Sequence, residues 1–257
     1  MLQALREVDI HPDIILGTSI GAFNGSVIAD AGATNPVDRL RELWTEIADG
    51  DVFKTRLSDR VRNLAAFRPA IHGSESLAAK LADVHGRNKQ IEDLQIPFQC
   101  VASSIERAAE HWFTRGPLIP ALLASSALPV LLPPVEIEGE HFYDGGLVNS
   151  IPIDRAIYLG ATSIYALQVG RIEAPLRPPK RLHEAALLSF EIARRHRFGA
   201  GVDQLPEGID FHLLPSGNPV EFDDRRQLRW RDTTDTGRLI EGAYRASSRY
   251  LAEAGLR

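Results

Sequence analysis

An apolar run, Ile14-Ile15-Leu16, passes straight into Gly17-Thr18-Ser19-Ile20-Gly21 and then into a helical pattern of small residues that starts at Ala22. Strand, G-x-S-x-G, helix is the order that turns a weak pentapeptide into a nucleophile elbow, the sharp turn on which a serine hydroxyl stands clear of its own backbone. The flanking glycines are expected to be required, because so tight a turn leaves no room for a Cβ. A strand that feeds a helix directly also points to a layered α/β architecture.

The rest of the chain repeats that alternation. Residues 14–16, 98–102, 163–169 and 211–214 are short, rich in β-branched or aromatic side chains and bounded by Gly or Pro, which predicts buried strands. Helical patterns cover residues 20–31, 36–48, 76–84, 119–125, 152–159, 182–197 and 236–254. An α/β fold with a mostly parallel central sheet is expected. Asn35 followed by Pro36 fits an N-cap with proline at the first helical position, and Gly32 fits a helix stop. Residues 136–142, with Gly139 between alternating side chains, predict a β-hairpin that delivers the chain to Tyr143-Asp144, and His111-Trp112-Phe113 are assigned to a strand or its end. Prolines at 175, 178 and 179 mark a connector. It divides a core over residues 1–170 from an extension over 171–257 that is too short for an independent domain and is expected to pack on the same core.

Charge and cysteine content exclude several classes. The 257 residues carry a formal net charge of -5, which argues against nucleic acid as partner. Cys100 is the only cysteine, so no disulfide or cysteine-based metal site forms within one chain. No run approaches the roughly 18 apolar residues of a spanning helix, and the first residues lack a signal-peptide pattern, so a cytoplasmic protein is expected. H-E-x-x-H, EF-hand and G-x-x-x-x-G-K patterns are absent, and no metal or cofactor is expected.

A serine hydroxyl needs a base. Eight histidines are available, and Ser19, Asp144 and one of His183, His196 or His212 would satisfy the order Ser, Asp, His. Position argues against that arrangement, because only residues 1–18 precede Ser19, whereas several strands precede the elbow of an α/β-hydrolase. Asp144 is the stronger partner. Tyr143-Asp144-Gly145-Gly146 puts a carboxylate at a hairpin end, with two glycines that let the backbone approach another loop closely. Poor solvation there would raise the basicity of the carboxylate enough for general-base work.

Three blocks in order, Gly17-Thr18-Ser19-Ile20-Gly21-Ala22, Ala124-Ser125-Ser126-Ala127-Leu128-Pro129 with Pro133-Pro134-Val135, and Asp144-Gly145-Gly146-Leu147-Val148-Asn149, resemble the patatin-like phospholipases in content and spacing. The resemblance runs from Met1 to about Val169. It implies a three-layer α/β/α sandwich and a Ser-Asp dyad that hydrolyses acyl esters of phospholipids or other lipids through an acyl-enzyme. Ser19 would be the nucleophile and Asp144 the general base, with the Ala124–Pro129 block lining the core beside them. Such enzymes also carry a first strand and a glycine-rich oxyanion loop, whereas Met1 to Glu7 resembles the end of the helix that follows that loop. An upstream strand and loop are therefore expected in the native protein, with the Ile20 N–H at the helix start as a partial oxyanion donor. Losing one such donor typically costs about 2.7 to 4 kcal/mol of transition-state stabilisation. That sets two alternatives beside the hydrolase: a catalytically impaired lipid-binding or regulatory protein, and a histidine-dependent esterase of small esters.

Membrane contact is a further expectation for a lipid hydrolase. Residues 182–190 form an apolar stretch that ends in Arg194-Arg195-His196-Arg197, which suits either transient contact with an anionic bilayer or cations at a helix C-terminus. Residues 225–231 are basic with Trp230 among them, but Asp223, Asp224 and Asp232 flank them, so a solvated salt-bridged loop is expected there. Pocket shape is expected to depend on loops such as 49–56 and 67–75.

Overall fold

Strand β1 (Ile15–Thr18) lies parallel to β2 (Phe98–Ser104), with Ile15 opposite Phe98 and Thr18 opposite Val101. The computed structural model describes residues 1–31, 34–49, 75–129, 131–168, 175–179, 182–217 and 236–256. Strand β3 (Ala109–Phe113) turns back antiparallel on β2, pairing Cys100 with Phe113 and Ser104 with Ala109. The predicted hairpin is present as β4 (Val135–Ile137) and β5 (Glu140–Asp144), and β5 pairs antiparallel with residues 102–104 of β2.

Each position in a strand has only two edges. Cys100 and Val101 pair with both β1 and β3, and residues 102–104 pair with both β3 and β5. Strand β3 therefore fills one edge of β2, while β1 and β5 share the other, end to end. They run towards each other, and their C-terminal ends meet where Thr18 faces Val101 and Asp144 faces Ala102. A second parallel pair joins β6 (Ser163–Leu167) to β7 (Asp210–Leu214). The expected α/β class is thus present, with parallel pairing in β1–β2 and β6–β7 and antiparallel pairing in the strands folded back on β2.

Side-chain alternation along β2 sets the layers. Phe98, Cys100 and Ala102 join a buried cluster with Ala22, Phe23 and Val27 of α2 (Ile20–Asp30), Leu43 of α3 (Pro36–Asp49), Leu81 of α4 (Glu75–His85), and Leu118 and Leu122 of α5 (Leu118–Ser125). Each large side chain removed from water there contributes about 1.5–3 kcal/mol. On the opposite face Arg155 of α6 (Ile153–Tyr158) donates to Gln99 at 2.9 Å, and Gly145 lies against the Val101 backbone. Helices thus cover both faces of the sheet. A second apolar cluster joins α1 (Leu2–Glu7), β7 and α8 (Thr236–Glu253) through Leu5, Leu214 and Leu251.

The end of α2 away from Ser19 is anchored by polar contacts. Buried Ser26 lies 3.0 Å from His85 Nε2, and His85 Nδ1 lies 2.9 Å from Asp30 Oδ2. Lys89 Nζ is 2.7 Å from the other Asp30 oxygen, and Arg39 donates to the Asp30 and Val84 carbonyls. Burial pushes the Asp30 carboxyl up, but Lys89 and His85 together hold it below the usual carboxylate range. The network fixes α2 to α3 and α4.

Helix α7 (Leu182–Asp203) extends past the predicted stop at Arg197. Phe198 is buried and the helix continues through Gly199 and Gly201, so Arg194 to Arg197 sit inside it rather than at its C-terminus. The three arginines reach carboxylates: Arg194 and Arg195 bond Glu191, and Arg197 bonds Glu110 and Asp154. Among the described residues no helix is long and apolar enough to cross a membrane. Residues 175–179 have no regular structure. The predicted stop at Gly32, nearly all of the loops 49–56 and 67–75, and the basic segment 225–231 lie outside the described residues.

Candidate active site

Thr18 ends β1 and α2 starts at Ile20, so Ser19 alone makes the turn, at φ 55° and ψ -126°. A non-glycine residue there stores about 1–3 kcal/mol of strain and needs its surroundings to hold it. The Ser19 carbonyl accepts from the Ala22 and Phe23 amides at 2.9 and 3.2 Å, closing the first turn of α2. Its amide, beyond the strand ladder, donates to Ser125 Oγ at 3.0 Å. The Thr18 hydroxyl donates to the Asn149 carbonyl at 2.9 Å, tying the strand to the loop that follows Asp144.

The two elbow glycines are not equivalent, which corrects the expectation that both are required. A Cβ on Gly17 would lie 2.3 Å from Ala22 Cα and 2.8 Å from Ala22 N, both backbone atoms of the helix that folds over it. A Cβ on Gly21 would meet no atom of the described residues within 4 Å. The turn folds over Gly17 and leaves Gly21 at the surface, so steric need falls on the first glycine.

Asp144, the last residue of β5, is 1% exposed. Ser19 Oγ donates to its Oδ2 at 2.5 Å, and the Gly146 amide donates to Oδ1 at 2.7 Å. Its backbone is held as firmly: its amide donates to the Ala127 carbonyl at 2.9 Å, and its carbonyl accepts from the Ser103 hydroxyl at 2.7 Å. The structure therefore brings together two residues 125 positions apart. Burial pushes the Asp144 carboxyl up to about 6, against the lowering effects of the Ser19 and Gly146 hydrogen bonds and of the Arg194 charge. A carboxylate of that basicity is ionised at neutral pH and is a far better proton acceptor than a solvated one.

Both glycines after Asp144 are set by close approach. A Cβ on Gly145 would lie 2.2 Å from the Val101 carbonyl oxygen, and one on Gly146 would lie 2.7 Å from the Phe190 ring of α7 and 3.0 Å from Asp144 Oδ1. Beyond them the buried Asn149 side chain donates to Glu110 of β3 and Asp154 of α6 at 3.1 and 2.9 Å. Arg197 donates to the Val148 carbonyl at 3.2 Å. Four elements thereby fix the loop that carries the carboxylate.

Ile20 N–H and Gly21 N–H open α2 without a backbone partner among the described residues. With the helix dipole they form a site suited to negative charge beside Ser19. Neither Ser19 nor Asp144 has a histidine partner among the described residues. His212 instead stacks on Tyr165 and contacts the Tyr250 hydroxyl at 3.0 Å, His196 is exposed, and the side chain of His183 lies outside the described residues. Among the described residues no group of three or more His, Cys, Asp or Glu side chains is arranged to hold a metal ion.

Residues 124–129 were expected beside the site only as lining. The structure gives Ser125 a hydrogen bond to Ser19, gives Ala127 and Ser103 hydrogen bonds to Asp144, and ties Asn149 to Thr18 beside the nucleophile. Two adjacent serines at the end of an apolar helix were the signal available for Ser125.

Comparison with known proteins agrees with the three blocks. A family model described as patatin-like phospholipase matches residues 1–157. Patatin-like phospholipase domain-containing protein 7 of Rattus norvegicus is 30% identical over 172 residues, covering 66% of this chain and 12% of that protein. Lysophospholipase nte1 of Aspergillus terreus is 29% identical over 174 residues, covering 67% of this chain and 11% of that protein. The patatin-like phospholipase domain-containing protein ZK370.4 of Caenorhabditis elegans is 30% identical over 183 residues, with 67% and 12% covered. The chain thus spans only about 12% of the length of such relatives.

Proposed function

This chain belongs to the patatin-like phospholipase family, and from that premise we propose that it is a serine acyl hydrolase that cleaves the acyl esters of phospholipids, lysophospholipids or similar lipids through Ser19 and Asp144. The observation that carries this reading is the 2.5 Å hydrogen bond from Ser19 Oγ to a buried carboxylate, made by a serine held at positive φ on a strand-to-helix turn. Relatives whose names include phospholipase and lysophospholipase support the lipid ester as substrate class.

In the proposed reaction Ser19 Oγ attacks the ester carbonyl carbon while Asp144 Oδ2 takes the hydroxyl proton. The carbonyl oxygen becomes an oxyanion, and the Ile20 N–H is the elbow's donor to it. Collapse of the tetrahedral intermediate expels the lipid alcohol, which takes the proton from Asp144 and leaves the acyl chain on Ser19. Water then gives a proton to Asp144 as it attacks the acyl-enzyme, and the second collapse releases the fatty acid and returns the proton to Ser19. The buried carboxylate accepts and returns a proton in each half of the cycle, the role that a histidine fills in triad enzymes. Cytoplasmic location and transient contact with a membrane surface belong to the same proposal.

Release of free fatty acid from lysophosphatidylcholine and phosphatidylcholine vesicles is the direct assay. We expect release by the wild-type protein and none above background by a folded Ser19→Ala variant. Equal release by both would end the proposal.

A further inference from the structure

One three-residue stretch at the end of α5 holds both Ser19 and Asp144. Ser125, the last residue of α5, accepts the Ser19 N–H on its side-chain oxygen at 3.0 Å, and Ala127 accepts the Asp144 N–H on its backbone carbonyl at 2.9 Å. Ser125 is 0% exposed and Ala127 is 1% exposed, so neither attachment is exchanged for water. The apolar face of α5, through Leu118 and Leu122, packs into the main core and fixes the stretch.

The Ser125 contact is local to the elbow and has no substitute there. Strand β1 ends at Thr18, and the positive φ of Ser19 turns its amide out of the ladder before α2 begins. A partly buried amide without its acceptor would lose its pairing within the protein, and the strained turn would relax towards a geometry in which it is paired. The donor to the Ser125 oxygen lies 106 positions away, at the backbone of the candidate nucleophile.

We propose that Ser125 is a positioning residue for the reaction of Ser19, its hydroxyl oxygen holding the Ser19 amide so that, with Asp144 hung from Ala127 two residues on, Oγ stays in line with Oδ2. This rests on the acyl-hydrolase reading of Ser19 and Asp144. The Ser19 amide is then committed to Ser125 and is not an oxyanion donor, which leaves that task at the elbow to the Ile20 amide. Ser125 bonds neither side-chain oxygen of Asp144. Its loss therefore lowers the rate of chemistry without moving the titration of the base.

The test is the rate at which a fluorophosphonate labels Ser19, measured against pH in the wild type and in Ser125→Ala, Ser125→Cys and Ser125→Thr, beside kcat and KM on lysophosphatidylcholine. Alanine removes the acceptor, cysteine nearly keeps the volume but offers a poor acceptor, and threonine keeps the oxygen. Labelling and kcat are expected to fall about ten- to a hundred-fold in the alanine and cysteine variants. Threonine is expected to retain most of both, KM to stay within about two-fold, and the pH midpoint to remain at about 6. If the alanine variant does not fold, the cysteine variant carries the comparison. Alanine or cysteine labelling within two-fold of wild type overturns the proposal, as does a displaced pH midpoint, which would mean that Ser125 acts on Asp144. A wild-type protein unlabelled at Ser19 would instead remove the premise, a failure distinct from labelling that ignores Ser125.

Discussion

Asp144→Asn is expected to lower turnover about a thousand-fold while raising the melting temperature at neutral pH. Asparagine keeps the shape of the side chain, and its carbonyl oxygen can still accept the Gly146 amide. Its NH2 group then faces Ser19 Oγ, so the serine must accept where it now donates. No proton acceptor remains, and activity goes with it. Stability moves the other way. The carboxyl titrates at about 6 in the folded protein against 3.8 for the unperturbed group, because burial penalises its charge. The unfolded chain therefore ionises Asp144 first, and folding becomes less favourable as pH rises from 3.8 through about 6. Above that range the buried charge costs about 3 kcal/mol. The neutral amide removes that cost, so the melting temperature of Asp144→Asn should exceed that of wild type at pH 7 to 8, and the gap should close below the unperturbed value of 3.8. Calorimetry across that range checks the sign. A variant less stable than wild type at neutral pH would contradict the account. The same ionisation predicts that wild-type kcat/KM rises with pH to a plateau above about 6.

Gly17→Ala is expected to abolish activity and destabilise the fold, while Gly21→Ala leaves the protein folded. The alanine Cβ at position 17 would come within 2.3 Å of Ala22 Cα, and neither atom can rotate away, because both are fixed to backbone. Relief requires lifting α2 off β1. That would pull apart the elbow and the contacts of Ala22, Phe23 and Val27 in the core. Overpacking of a well-filled site costs about 1–3 kcal/mol where side chains can yield, and more is expected here because backbone must move. At Gly21 the added methyl, on the first turn of the helix, meets none of the described residues, and alanine favours helix over glycine by about 1 kcal/mol. Thermal melts and fatty-acid release on the pair separate the two cases. Equal behaviour of the two variants would show that the elbow is not folded as described.

Local signals made much of this site legible in the sequence. The Ile14 to Leu16 run, the pentapeptide around Ser19 and the Asp-Gly-Gly after an alternating stretch each announce their own structure over a few residues. The contacts that bring them together are not local. That β1 and β5 meet end to end on one edge of β2 depends on the register of three strands, and no single segment carries that information. Ser125 and Ala127 were visible only as members of a small-residue block, because an amide 106 positions distant leaves no mark on the helix that accepts it. Gly21 looked equivalent to Gly17, since spacing does not reveal which side of a turn the chain folds over. The stop expected at Arg197 failed for a related reason: Arg194 to Arg197 suited a helix C-terminus, yet Phe198 packing and the bonds of Arg197 to Glu110 and Asp154 carry α7 on to Asp203.

The most direct measurement is peptide mapping by mass spectrometry of the protein after reaction with a fluorophosphonate at pH 7.5, on the wild type and on folded Asp144→Asn. A single adduct on Ser19 is expected in the wild type, with labelling at least about a hundred-fold slower in the variant. An adduct on any other residue, or labelling of Ser19 at an unchanged rate without the carboxylate, would contradict it.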